Sequence, residues 1–354
     1  MKKLIALLLC CMLVLTGCAG TTVVVGECTC PPGSHDTVET PTEAPAATEA
    51  PVAMEGALKT GLAIVPALSG SNATAEENGK VSYDVTIVAV TVDENGVIAS
   101  CKIDSVGVDA AFDATGTPAA EGAAAVLTKN ELGFDYGMVK YNASAIGKEW
   151  FEQADALAQF AVGKTMEEVK SGIAGGYASD VDLKTSASIY LGGYVAAMEA
   201  AVNNAKVLGA EAGDALKLAT NATLNCAAGK AELTVDVAAV TMDGEVITSC
   251  VIDSLQAAVA MDETGAITTD LTVAPLTKTQ LGFDYGMVKY NASAIGKEWF
   301  EQVEAFCNYI VGKTAAEVAG IAITETTAPA DVDLAAGCSI AIGGFQGLIT
   351  EAAQ

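Results

Sequence analysis

The stretch LGFDYGMVKYNASAIGKEWFEQ runs from Leu132 to Gln153 and recurs without a change as Leu281 to Gln302, 149 residues further on. A period of that length is the size of a whole domain and far beyond a solenoid unit. The features around the block keep one order in both copies: a β-rich opening, the block itself, a helix, a short segment running from an Asp to a Ser, and a closing segment. Two copies of one domain are therefore expected, over 55–207 and 208–354.

Upstream of the first block, Val81 to Thr91 alternates and is rich in β-branched residues. Asp93 to Gly96 supplies turn chemistry before Val97 to Ile103 resumes, which predicts a hairpin. The second copy repeats it with Ala231 to Thr241, Asp243-Gly244 and Val246 to Ile252. Ser144 offers an N-cap, and Ile146, Trp150, Ala154, Leu157 and Ala161 follow at helical spacing up to Gly163. Thr165 to Glu168 and Thr314 to Glu317 have capping-box spacing, so a short second helix follows in each copy. The fold class expected is α+β, two tandem antiparallel sheets with helices packed on one side of each.

The chain opens as Met1-Lys2-Lys3, an apolar run from Leu4 to Leu15, and Leu15-Thr16-Gly17-Cys18. This is a charged start, a hydrophobic stretch and a small-residue processing site, together too short to span a bilayer as a helix. From Cys18 to residue 54, Pro31, Pro32, Pro41, Pro45 and Pro51 stand among Thr, Ala, Glu and Gly. Such a composition buries too little apolar surface to offset ordering entropy, and it predicts a disordered stalk.

Composition removes several function classes. Lys and Arg total 18 against 44 Asp and Glu, for a net charge of -26, and no arginine is present. So acidic a surface repels phosphate backbones, so no nucleic-acid partner is expected. The best bidentate clamp for phosphate or carboxylate is missing. The one histidine, His35, falls in the stalk, so neither a Ser-His-Asp nor a Cys-His arrangement nor a histidine zinc site can be assembled in the folded part. Cys101 and Cys250 occupy matching places in the two copies, as buried thiols would. Cys28-Thr29-Cys30 is one residue short of the C-x-x-C redox spacing. Gly163-Lys164-Thr165 and Gly312-Lys313-Thr314 end like a P-loop, but Ala158 and Cys307 stand where its first glycine is required, so they read as helix boundaries.

The Asp-to-Ser segments carry the candidate chemistry. The first is Asp182-Leu-Lys-Thr185-Ser186-Ala187-Ser188 and the second Asp333-Leu-Ala-Ala336-Gly337-Cys338-Ser339, each followed by an apolar stretch and a Gly-Gly pair. Small residues flank a hydroxyl and leave it accessible. Each segment resembles the Asp-x-x-[Ser/Thr]-Gly-Ala-[Thr/Ser] signature of FMN-binding domains, in which a flavin transferase joins the FMN phosphate to the last hydroxyl. Both depart from it: serine replaces the commoner threonine at the end, Ser186 stands for glycine, and Ala336 and Cys338 replace a hydroxyl residue and alanine. Leu15 to Cys18 likewise resembles the lipobox of bacterial lipoproteins.

Over nearly the whole mature chain the pattern resembles the tandem FMN-binding lipoproteins of Gram-positive bacteria that take part in extracellular electron transfer. The shared elements are the lipobox and stalk, Asp-Tyr-Gly-Met (Asp135 to Met138, Asp284 to Met287), Ile-Gly-Lys-Glu-Trp (Ile146 to Trp150, Ile295 to Trp299) and Val-Gly-Lys-Thr. The resemblance implies cleavage of residues 1–17, lipidation of Cys18 and residence on the outer face of the cell membrane. It also implies covalent FMN on Ser188 and Ser339, with Asp182 and Asp333 serving recognition by the transferase and Thr185 counted with the cofactor-binding residues. Its partners would be a flavin transferase, a membrane dehydrogenase or quinone-linked donor, and an external acceptor.

Thr60, in Lys59-Thr60-Gly61, is an alternative candidate to Ser188 as the acceptor in the first copy, with Leu218 at the comparable place in the second. Phe134, Tyr136 and Tyr141, with Phe283, Tyr285 and Tyr290, suit either stacking on an isoalloxazine ring, with Lys140 and Lys289 near its anionic edge, or core and turn positions. A non-redox surface module with decayed attachment sites is the competing function.

Overall fold

The computed structural model describes residues 56–354. The expected signal peptide, Cys18, the stalk, Cys28, Cys30 and His35 lie outside the described residues. The first copy contains β1 (Ala57–Ser71), β2 (Gly79–Val92), β3 (Ile98–Phe112), β4 (Gly122–Val126), α1 (Lys129–Leu132), α2 (Trp150–Ala161), α3 (Met166–Ser171), β5 (Ile173–Ala174), β6 (Tyr177–Ala178), α4 (Val181–Ser186) and α5 (Gly192–Asn204). After β7 (Lys206–Glu211) the second copy runs through β8 (Ala215–Ala227), β9 (Lys230–Asp243), β10 (Val246–Ala260), α6 (Lys278–Leu281), α7 (Trp299–Ile310), α8 (Ala315–Ala319), α9 (Val332–Ala335) and α10 (Gly343–Ala352).

The fold is α+β, with two four-stranded antiparallel sheets ordered β3-β2-β1-β7 and β10-β9-β8-β4. The predicted hairpins are β2–β3 and β9–β10. Along β2 the two faces separate by period. Val81, Tyr83, Val85, Ile87 and Ala89 point into a core filled from the other side by Leu233, Val235, Val237, Leu255, Ala257 and Val259 of the second sheet. Val88, Val90 and Val92 point the other way, under α2 and α5, and Ala238, Val240 and Met242 do the same beneath α7 and α10. Helices thus cover one face of each sheet, and the opposite faces of the sheets cover each other.

Two crossovers bind the copies together. β4 belongs by chain position to the first copy but pairs with β8 of the second sheet. Its counterpart 149 residues later, Leu271 to Pro275, forms no strand: Asp270 ties Thr272 into a turn, and Pro275 has no N–H for a ladder. β7, on which the 207/208 boundary falls, pairs with β1. The Asp113 and Asp262 turns reach across to opposite copies, through Gly229 N–H to Gly116 O and Ala73 N–H to Gly265 O, both 2.9 Å. A chain of hydroxyls does likewise: Thr60 shares a 2.7 Å hydrogen bond with Ser249, which shares another with Thr241.

The helix of the repeated block begins later than Ser144. Glu149 is the N-cap of α2, with its backbone N–H donating to the Glu152 carboxylate at 2.7 Å. Gly147, at φ +68°, turns the chain just before it. Ser144 instead accepts from Lys148 N–H at 3.0 Å inside that turn. Buried Glu149 accepts from Met138 N–H and Val139 N–H at 2.7 and 3.0 Å, which fastens the aromatic loop to the start of α2. The capping boxes at Thr165 and Thr314 form as the spacing predicts, and Gly163 at φ +79° ends α2 as a plain helix boundary. Cys101, Cys226, Cys250, Cys307 and Cys338 are all free and buried.

Candidate attachment sites and the adjoining groove

Asp180 caps the short helix α4 by accepting from Asp182 N–H and Leu183 N–H. Asp182 and Thr185 therefore lie on its solvent side, where the Thr185 hydroxyl donates to Asp182 O at 2.8 Å. The chain then turns extended at buried Ala187 and presents Ser188, which is half-buried. The second copy repeats this with Asp331 as the cap, Asp333 exposed, Cys338 buried and Ser339 half-buried.

Gln153, the last residue of the repeated block, is wholly buried. Its Oε1 accepts from Ser188 N–H at 2.8 Å, the Ser188 hydroxyl at 3.1 Å and Ile189 N–H at 3.2 Å. Its Nε2 donates to Lys148 O at 2.9 Å, which fixes which end of the amide faces the serine. Gln302 does the same for Ser339, accepting from its N–H at 2.8 Å and its hydroxyl at 2.9 Å, and donating to Lys297 O. One helix of each copy thus orients the hydroxyl of a loop more than thirty residues away.

One residue beyond Ser188, at Ile189, the chain enters the lining of a groove of about 770 Å³. Ile189, Tyr190 and Tyr194 line it on one side, Tyr136, Tyr141 and Trp150 on the other, and Val65, Ala67, Asp84 and Thr86 of the sheet form the floor. That volume falls within the range of small-molecule sites. Lys129 reaches into the groove with its Nζ 5.6 Å from the Tyr136 ring centre, 5.4 Å from the Trp150 ring and 3.7 Å from the Asp84 carboxylate. Burial works against its charge, but Tyr194 and Asp84 outweigh that, and its pKa is raised. The lysine is a cation at neutral pH. The Trp150 indole N–H donates to the Tyr194 hydroxyl at 2.9 Å, so the two sides are in direct contact there.

The structure sorts the expected aromatic residues. Tyr136 and Tyr141 line the groove, whereas Phe134 is 74% exposed and meets Phe151 edge-on, away from the groove-lining residues. Lys140 lies over the Tyr141 ring, and the groove's cation is Lys129. In the second copy Tyr285 is half-buried, with its hydroxyl 3.4 Å from Gln256 Oε1, while Phe283 and Tyr290 are exposed. Thr60 has no access to any ligand: it is fully buried and its hydroxyl is held by Ser249. By strand register its counterpart is Leu216, since both pair opposite a threonine, Thr91 and Thr241.

Sequence reading missed Lys129, Trp150, Tyr190, Tyr194 and Gln153. Trp150 and Gln153 stand inside the identical block, and Leu-Thr-Lys precedes it in both copies as Leu127 to Lys129 and Leu276 to Lys278, so three of the five left a signal.

Asp104, on β3, holds the start of the helix that carries Lys129 by accepting from Asn130 N–H at 3.2 Å and Ser105 N–H at 2.7 Å. Burial pushes its carboxyl up to about 6, and Asp253 shifts in the same direction for the same reason. A carboxyl whose folded pKa is raised favours the fold while protonated and weakens it once ionised, so its contribution is lost as pH rises from about 4 to about 6. Asp104→Asn keeps the acceptor without the charge. It is expected to raise stability by about 1–3 kcal/mol at pH 7 and by nearly nothing below pH 4, measured by urea denaturation at both pH values.

No family model matches the chain, and neither a curated protein nor a solved structure matches it.

Proposed function

We propose that this is a surface flavoprotein that carries FMN as a phosphoester on Ser188 and Ser339 and relays electrons, converting no substrate of its own. The observation that carries the reading is the pairing, in the first copy, of an oriented and half-buried serine hydroxyl with a groove of about 770 Å³ walled by aromatic rings and holding a lysine. A tricyclic ring fits such a space, and a phosphate tethered at Ser188 needs no arginine to hold it. In the attachment, the seryl Oγ forms a bond to phosphorus of an activated FMN donor, an anhydride P–O bond breaks, the leaving group takes its electron pair and the hydroxyl proton passes to solvent. Gln153 accepts from the hydroxyl and so leaves the oxygen lone pairs unengaged by that bond.

Bound flavin would supply one- and two-electron transfer. The chain's residues position it: Tyr136 and Tyr190 provide stacking faces, buried Trp150 backs the site, and Lys129 offers a positive charge to a ring that becomes anionic on reduction. A lipid at Cys18 and the stalk would place this unit at the outer membrane face, between a membrane dehydrogenase or quinone-linked donor and an external acceptor. Made together with a flavin transferase, the mature protein is expected to be yellow, to stay yellow after denaturation, and to gain the mass of FMN. Ser188→Ala with Ser339→Ala should remove both colour and added mass. A colourless protein of unmodified mass would instead support the non-redox surface module.

A further inference from the structure

We infer that the two attachment sites hold their rings differently: a ring on Ser188 is clamped between two aromatic walls, and a ring on Ser339 is held on one side only. This rests on the flavoprotein reading. The wall contributed by the repeated block is the same in both copies, since Tyr136, Tyr141 and Trp150 correspond to Tyr285, Tyr290 and Trp299. The facing wall is not. Counting from the attachment serines, Tyr190 becomes Ala341 and Tyr194 becomes Phe345.

Tyr190 is fixed where it stands. Its ring meets Tyr177 edge-on at 5.5 Å and packs so closely on two glycines that a Cβ at Gly176 would come within 2.1 Å of the ring, and one at Gly192 within 2.5 Å of the hydroxyl. The tight β5–β6 turn, with Gly175 and Gly176 both at positive φ, makes that seat. In the second copy the seat is gone: Ile342 N–H donates to Thr327, in a turn that starts at Thr324, where Leu191 N–H donates to Gly176. Phe345 offers Trp299 an edge contact at 6.4 Å but no hydroxyl to accept from its indole.

The floors differ in the same sense. Val65 lies opposite Thr86 and Ala67 opposite Asp84, whereas the matching pairs on the second sheet are Asn221 opposite Asp236 and Thr223 opposite Thr234. Apolar Val65 and Ala67 are thereby replaced by polar Asn221 and Thr223, while each floor keeps one carboxylate, Asp84 in the first copy and Asp236 in the second. Laying an aromatic ring on that floor would strip water from the Asn221 amide and the Thr223 hydroxyl without replacing their hydrogen bonds, a cost that Val65 and Ala67 do not carry. Lys278 is affected as well: burial outweighs Asp236, Asp253 and Glu232, and its pKa is lowered where that of Lys129 is raised.

Flavin fluorescence separates the two states, because an excited flavin in contact with tyrosine or tryptophan is quenched by electron transfer from that ring. Ser339→Ala leaves flavin on Ser188 alone, and Ser188→Ala leaves it on Ser339 alone. Each full-length protein, made with a flavin transferase, is compared for fluorescence per bound flavin and for quenching by iodide. The Ser188 flavin is expected to be dim and shielded, and the Ser339 flavin several-fold brighter and open to iodide. Tyr190→Ala, at an exposed side chain, should brighten the Ser188 flavin, and Ala341→Tyr with Phe345→Tyr should dim the other. Equal brightness, the reverse order, or flavin on one serine only overturns this inference and leaves the flavoprotein reading standing. Failure of both serines to take flavin overturns the reading itself.

Discussion

Tyr83→Ala is expected to destabilise both copies together by about 3–5 kcal/mol, as truncation of a buried aromatic does. Tyr83 is 1% exposed in the first half of β2, on the face that meets the second sheet, and its hydroxyl donates to Ala231 O at 2.9 Å across the junction of the copies. Burial raises its pKa well above the ordinary tyrosine value, so the neutral phenol is the form that packs. Tyr83→Phe keeps the ring and should cost about 1–2 kcal/mol, the share of one buried hydrogen bond. Each copy holds one tryptophan, Trp150 and Trp299, so single-tryptophan variants report on each half separately. In urea denaturation the two signals should share one midpoint in the parent and fall together in Tyr83→Ala. A shift confined to the Trp150 signal would contradict a shared core.

Gln153→Ala comes second in expected effect, with a loss of about 2–4 kcal/mol. It leaves the Ser188 N–H, the Ile189 N–H and the Ser188 hydroxyl without their acceptor, and it opens a void in a fully buried position. Gln153→Glu would spare the acceptor, but it would place a carboxylate against Lys148 O, to which the amide now donates at 2.9 Å. Neither variant is conservative, and Gln302 should behave alike. A loss under about 1 kcal/mol for Gln153→Ala in denaturant titration would mean that the serine loop is held by something else.

Much of the architecture is legible in the residues. Alternation from Val81 onward and turn residues at Asp93 to Gly96 are local signals, and the hairpins they predict are present. One further signal stands in the same strand: Ile87 to Val90 is apolar at every position, the mark of a strand covered on both faces, and the second cover is the other copy's sheet. The β4 crossover has no such mark. Gly122 to Val126 is poor in β-formers, and only the open edge of β8 makes it a strand. Ser144 misleads because a cap residue before apolar periodicity is a statistical signal, while the helix start is set by the left-handed turn at Gly147 and the carboxylates of Glu149 and Glu152.

The site divides along the same line. Ser188 and Ser339 are marked by their small neighbours. The residues that orient and enclose them come from α2, α1 and β1, and from the turn before α5, and no linear motif contains them together. Tyr190 and Tyr194 fall outside the identical block, so the self-comparison that finds Trp150 and Gln153 passes over them.

The most direct test of the account is tandem mass spectrometry of tryptic peptides from the mature protein made with a flavin transferase. FMN is expected on the serine at 188, in the peptide that starts at Thr185, and on the serine at 339, in the peptide that starts at Thr314. Both peptides unmodified, or FMN found on any other residue, would contradict it.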